Sequence, residues 1–190
     1  MKKEINNIAA SVRARLSRIA KETNRDFIAI LLQYFQERFL YRLSISPYKQ
    51  NFILKGALLF LVYNMPNSRP TRDIDFLGIK TSNTEKNLLQ IMNEVISIKV
   101  EDGVRFDPES LESEIIKEDT DYRGVSIYCQ VYLDRAKIRI HFDIGFGDEI
   151  VPEPVSLDFP VLLSDMPKPK LITYTPESRC IGKNWKQLQN

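Results

Sequence analysis

The sequence is poor in the residues that build zinc and redox centres. It holds two cysteines, Cys129 and Cys180, and one histidine, His141. The cysteines lie far apart, with neither CxxC spacing nor histidine-rich surroundings to suggest zinc, and two reduced, inert thiols are expected. Also missing is any apolar run near the roughly 20 residues that a membrane helix needs. The opening Met1-Lys2-Lys3-Glu4 is not followed by an apolar signal core, and the expectation is a cytoplasmic protein without a membrane span.

What is present fits a globular domain: 190 residues, 43% hydrophobic and 27% charged, enough for one sizeable core. Net charge is only +2, yet residues 1–50 carry ten Lys/Arg against four Asp/Glu, and the remainder carries 17 against 21. The basic end suits either a polyanion such as RNA or a plain solvated helix face, the commoner cause.

Apolar residues recur at three and four from Ile5 to Lys21, which predicts an amphipathic helix with Arg13, Arg15 and Arg18 between them. A second helix is predicted from about Asp26 to Leu43, capped by Asn24 and closed off by Pro47. Asn51 to Lys55 reads as a short buried strand, and Gly56 as a tight turn into an apolar helix over residues 57–63. Asn64 to Pro70 is a loop, Asp73 to Gly78 a strand, and Thr84 to Lys99 a third helix capped by Thr84. Period-two alternation over 113–117, 123–133 and 137–146 predicts antiparallel strands, the last two joined by a turn at Asp134-Arg135. Six prolines from Pro152 to Pro176 predict an extended, mostly irregular stretch.

The chemistry lies in the acids. Alternation along Asp73-Ile74-Asp75-Phe76 puts both carboxylates on one face of a strand and both apolar groups on the other. Two like charges side by side are costly unless a divalent cation neutralises them, and hard oxygen donors suit Mg2+ or Mn2+. The same alternation sets Arg139, His141 and Asp143 on one polar face, so Asp143 can join the pair. Three converging carboxylates can hold two ions and serve phosphoryl or nucleotidyl transfer. A lone DxD carries little weight. Here Lys55, Gly56, an apolar helix and a loop with Arg69 and Arg72 immediately precede it, and supply backbone amides and cations where the triphosphate of an NTP would lie.

Several segments together resemble the AbiEii/AbiGii toxin nucleotidyltransferases of the DNA polymerase β-like group. Phe52-Ile53-Leu54-Lys55-Gly56-Ala57-Leu58 and Arg69-Pro70-Thr71-Arg72-Asp73-Ile74-Asp75-Phe76-Leu77-Gly78 are similar to the family's glycine turn and DxD motif, and Asp143-Ile144-Gly145-Phe146-Gly147-Asp148 to its later acidic strand. Tyr174-Thr175-Pro176-Glu177 with Lys183 resembles the family's Y-x-x-E-x-x-x-x-x-K segment, and Glu37-Arg38-Phe39-Leu40-Tyr41-Arg42-Leu43 its helical lead-in. The resemblance implies an α/β polymerase β-like fold with a mixed or antiparallel sheet, helices on one face and a helical N-terminal subdomain, residues 1–50, ahead of a core at 51–190. It implies Asp73 and Asp75 as metal ligands and Asp143 as the third acid of the catalytic and metal site, Gly56 as the turn approaching the phosphates and Lys183 as a triphosphate-facing cation; the local context adds Lys55, Arg69, Thr71 and Arg72 about the nucleotide. The implied reaction moves an NMP from an NTP to an acceptor hydroxyl, with the tRNA 3′ end as an acceptor and a cognate antitoxin as a partner. Two departures stand out: Ala57 replaces the second glycine of many relatives, and relatives continue beyond the lysine with helices carrying an Arg/Lys-Asp motif where this chain ends at Asn190. A C-terminally truncated enzyme is therefore expected, with an inactive nucleotide-binding or protein-interaction module as the alternative.

Other residues have two readings. His141 either touches substrate or assists proton transfer, or is an ordinary cleft residue, the reading preferred on sequence. Thr71, on the same side as Asp73, either binds phosphate or makes a turn hydrogen bond. Tyr122, Tyr128 and Tyr132 with Arg123 form either a stacking surface for bases or plain packing.

Overall fold

The computed structural model describes residues 7–63, 71–117, 123–147, 150–176 and 179–180. Its scaffold is a seven-stranded mixed sheet whose strands lie side by side in the order 104–117, 123–133, 136–146, 73–78, 52–55, 170–173 and 155–158. Helix α1 (Ile8–Glu22) begins at Asn7, whose side chain accepts the Ala10 N–H, and α2 (Phe27–Ile45) begins at Asp26, which does the same for Ala29. Asn24, expected as the cap of α2, instead takes a left-handed φ of 50° just beyond α1. Asparagine tolerates that conformation, and the turn it allows frees Asp26 to cap.

β1 (Phe52–Lys55) leads through Gly56 into α3 (Leu59–Val62), a single turn where a longer helix is predicted. β2 (Asp73–Gly78) has the bounds that alternation gives it, and α4 (Glu85–Ile96) follows. Thr84 stands at the cap position of α4, but its side chain makes no capping bond. β3 (Val104–Lys117), β4 (Arg123–Leu133) and β5 (Ala136–Phe146) form an antiparallel meander. β3 is much longer than predicted: a register shift between Asp107 and Glu112 absorbs Pro108 and breaks the alternation that would have revealed its first half.

The proline-rich stretch also contains strands. β7 (Val155–Asp158) pairs antiparallel with β8 (Lys170–Thr173), and β8 runs parallel to β1. β6 (Ile150–Val151) and β9 (Arg179–Cys180) make a separate two-stranded sheet. The expected loop from Asn64 to Pro70 lies outside the described residues.

The sheet's apolar face carries Ile74, Phe76, Val125, Ile127, Cys129, Ile140, Phe142 and Ile144, all buried. α2 packs there. Phe39 sits 4.3 Å from Phe142 between ring centroids, with Phe76 and Phe106 also around it. Val12 and Leu16 of α1 and Leu88, Met92 and Val95 of α4 belong to the same continuous core. Packed on several sides, α2 also buries Gln36, Glu37, Arg38 and Arg42. Arg42 forms a two-pronged ion pair with buried Asp102 at 2.7 and 3.2 Å, and the Glu37 carboxylate accepts the Leu162 N–H. With one face filled by helices, the acids of β2 and β5 must project from the other.

Candidate functional site

Register brings the acids together. β2 and β5 lie side by side and parallel, setting Asp73 opposite His141 and Asp75 opposite Asp143. On the other side of β2, antiparallel β1 sets Lys55 opposite Asp75, while β4 sets Tyr128 opposite His141 and Ser126 opposite Asp143. Directly paired residues share a face. One row therefore reads Lys55, Asp75, Asp143, Ser126, and the next reads Asp73, His141, Tyr128.

The middle of these rows is dense in polar contacts. His141 Nδ1 is 2.8 Å from Asp73 Oδ1, and its Nε2 is 2.9 Å from Asp143 Oδ1. The first contact is an aligned hydrogen bond, whereas the second has the distance without the alignment, which leaves Nε2 buried and unbonded. Ser126 Oγ already donates to Asp143 Oδ1 at 2.6 Å. The imidazole stacks on Tyr128, with centroids 4.5 Å apart and planes 8° from parallel, and the Arg139 guanidinium covers that tyrosine and pairs with Glu112. Asp73, His141 and Asp143 each offer a donor atom within 4.8 Å of the others. Such a set fits a divalent cation.

Asp75 stands beside this trio. Burial first, then Asp143 and Asp73, push its carboxyl up to about 6, while Lys55 and His141 act in the opposite direction. Its carboxylate lies against Gly56, where a Cβ would come within 2.0 Å of Asp75 Oδ2, and Gly56 has a φ of +73°. A glycine is thus required twice over, by the left-handed backbone and by the room the carboxylate occupies. A Cβ on Gly145 would approach the Lys55 Nζ to 3.1 Å, which places the ammonium group over β5 close to the acids.

The remaining expected residues divide. The Thr71 hydroxyl interacts with the backbone of Asp73 at 3.4 Å, so it makes the turn contact. Arg72 is exposed at the entrance to β2. Arg69 and Lys183 lie outside the described residues, as do Tyr122, Asp148 and the side chain of Arg123. Tyr174, which opens the Y-x-x-E segment, donates its N–H to Leu54 O and accepts from Tyr63 Oη through its own carbonyl, so the chain continues from beside the Gly56 turn.

On sequence His141 is preferred as an ordinary cleft residue, and Ser126 is missed. A signal existed: a two-residue turn at Asp134-Arg135 pairs Leu133 with Ala136, and counting back from it pairs Tyr128 with His141 and Ser126 with Asp143.

The seven-stranded mixed sheet with its acidic parallel pair is consistent with the expected polymerase β-like nucleotidyltransferase fold. More narrowly, residues 38–185 match the family described as nucleotidyl transferase AbiEii toxin, Type IV TA system, and the chain belongs to that family. No curated protein matches it. Among solved structures it is similar to JHP933 from Helicobacter pylori, at 16% identity and a TM-score of 0.48, over 80% of this chain and 53% of that one. It is also similar to a second H. pylori protein described as a nucleotidyltransferase, at 19% identity and a TM-score of 0.38, over 64% and 46% of the respective chains. The chain spans about half the length of these structures.

Proposed function

We propose that this protein is a metal-dependent nucleotidyltransferase acting as the toxin of a toxin-antitoxin pair, with an NTP as donor and a cognate antitoxin as partner. The observation that carries the reading is the convergence of Asp73, Asp75 and Asp143 from two parallel strands beside the Gly56 turn. In the reaction, an acceptor hydroxyl oxygen forms a bond to the α-phosphorus as the bond from that phosphorus to the bridging oxygen breaks. Pyrophosphate departs with that electron pair, and the hydroxyl proton passes to a carboxylate of the site. Bound Mg2+ or Mn2+ would supply charge neutralisation and polarise the reacting oxygens. Asp73, Asp75 and Asp143 would hold it. Lys55, Arg69, Arg72 and Lys183 would face the triphosphate, with Thr71 shaping the turn and Gly56 letting the backbone come close. The acceptor we favour is the 3′ end of a tRNA, and the compartment is the cytoplasm.

The test incubates purified protein with labelled NTPs, Mg2+ or Mn2+, and tRNA, total protein or small hydroxyl acceptors, beside Asp73→Ala and Asp75→Ala. Transfer to tRNA that both substitutions abolish is the expected result. Transfer surviving either one overturns the site, and label appearing on protein or small molecules instead overturns the acceptor.

A further inference from the structure

The donor set between β2 and β5 is not purely acidic. We infer that His141 is a metal ligand through Nε2, and that this nitrogen makes the centre select Mn2+ over Mg2+. The inference rests on the reading of this cluster as a metal centre and adds to it the ligand and the ion.

The first support is orientation. In the neutral imidazole, an Nδ1–H donated to Asp73 leaves the lone pair on Nε2; Asp73 then orients the ring and Asp143 shares the Nε2-bound ion, and a carboxylate hydrogen-bonded to the far nitrogen of a ligating histidine is the recurrent way of fixing ring and tautomer. Tyr128 stacks on one side of the ring and is itself held beneath Arg139, so the imidazole plane is set before any ion arrives. The second support is the unbonded Nε2. It is buried and 2.9 Å from an Asp143 oxygen that already accepts from Ser126, without the alignment of a hydrogen bond. In the neutral ring this nitrogen carries a lone pair beside a carboxylate oxygen, and a cation shared by both satisfies the two at once.

Ion choice follows from donor chemistry. Mg2+ strongly favours oxygen donors and gives up its water reluctantly, whereas first-row transition ions accept imidazole readily. Replacing one oxygen of an all-carboxylate site by nitrogen therefore disfavours Mg2+ relative to Mn2+.

His141 is the only histidine in the chain, which permits a direct test. Untagged full-length protein is titrated with Mn2+ in an imidazole-free buffer without nucleotide. Electron spin-echo envelope modulation of the bound ion then reports any coordinated imidazole nitrogen, and Mg2+ competition gives the selectivity. The expected results are a 14N coupling and a preference for Mn2+ of about tenfold or more. His141→Asn abolishes the coupling and weakens Mn2+ binding about tenfold, while His141→Asp binds Mn2+ again without the coupling and with the preference lost. Mn2+ bound in an Asp73-dependent manner without 14N coupling overturns the inference and leaves the metal centre standing. Absence of any Mn2+ binding sensitive to Asp73→Asn overturns both.

Discussion

Gly56 and Asp75 show how one residue's backbone sets another's chemistry. The DxD acid occupies the space that a Cβ at position 56 would need, so the glycine turn and the acid are one unit although 19 positions separate them. Gly56→Ala combines a left-handed φ with a clash at the carboxylate. A loss of stability on the order of 2 kcal/mol is expected from the backbone alone, read as a shift in the urea midpoint. Metal binding should weaken as well, because Asp75 is displaced. A variant with wild-type stability and wild-type Mn2+ affinity would show that the contact is unimportant. This coupling was only half legible: a glycine before an apolar run signals a turn, but nothing in the sequence says which side chain fills the space above it.

Elements decide where charged groups are tolerated. α2 is covered on several sides, and its polar residues find partners inside the protein. Arg42 is 3% exposed and Asp102 0%. Asp102 also accepts the Val104 N–H and, through its carbonyl, the Tyr34 hydroxyl, so this one position ties α2 to the start of β3. Asp102→Ala leaves a buried guanidinium without its counter-charge and should cost about 3–5 kcal/mol in denaturant unfolding. The double variant Arg42→Met with Asp102→Leu should recover most of that loss, since an apolar pair of similar size removes the desolvation penalty along with the attraction. Equal destabilisation of the single and double variants would contradict this reading. Elsewhere the elements match what periodicity predicts: β2, β4 and nearly all of β5 emerge from alternation alone. The exceptions have local causes. Pro108 and the irregular pairing around it hide half of β3, and the prolines of residues 152–176 hide β8, whose four residues are recruited by the edge of β1 rather than by their own propensity.

At the scale of the whole molecule, burial of ionisable groups makes stability depend on pH. Glu37 is pushed from 4.5 up to about 7, chiefly by burial, with the Leu162 N–H, Arg38, Gln33 and Arg25 opposing. A carboxyl raised in the folded state binds more protons there than in the unfolded chain. Its contribution is therefore fully present below about pH 4.5 and is lost as pH rises through about 7. The loss amounts to about 3 kcal/mol across that window. Asp75, raised to about 6, acts in the same sense. Glu37→Gln should flatten much of the decline between pH 4.5 and 7 in chemical denaturation and leave Asp75 as the smaller remaining slope. A variant with an undiminished pH dependence would show that Glu37 is not its source.

The sequence by itself determined the α/β class, the strands that bear Asp73, Asp75 and Asp143, and the face on which each side chain lies. These follow from local rules, since a period of two or 3.6 is set by a few neighbouring residues. Only the tertiary structure decided which strands become neighbours. The parallel pairing of β2 with β5 joins segments about 70 residues apart, and no local pattern encodes that register. From it comes the feature on which the metal inference depends: the single histidine, unremarkable in sequence, lies between two of the acids and presents a nitrogen where the motif alone shows only oxygen.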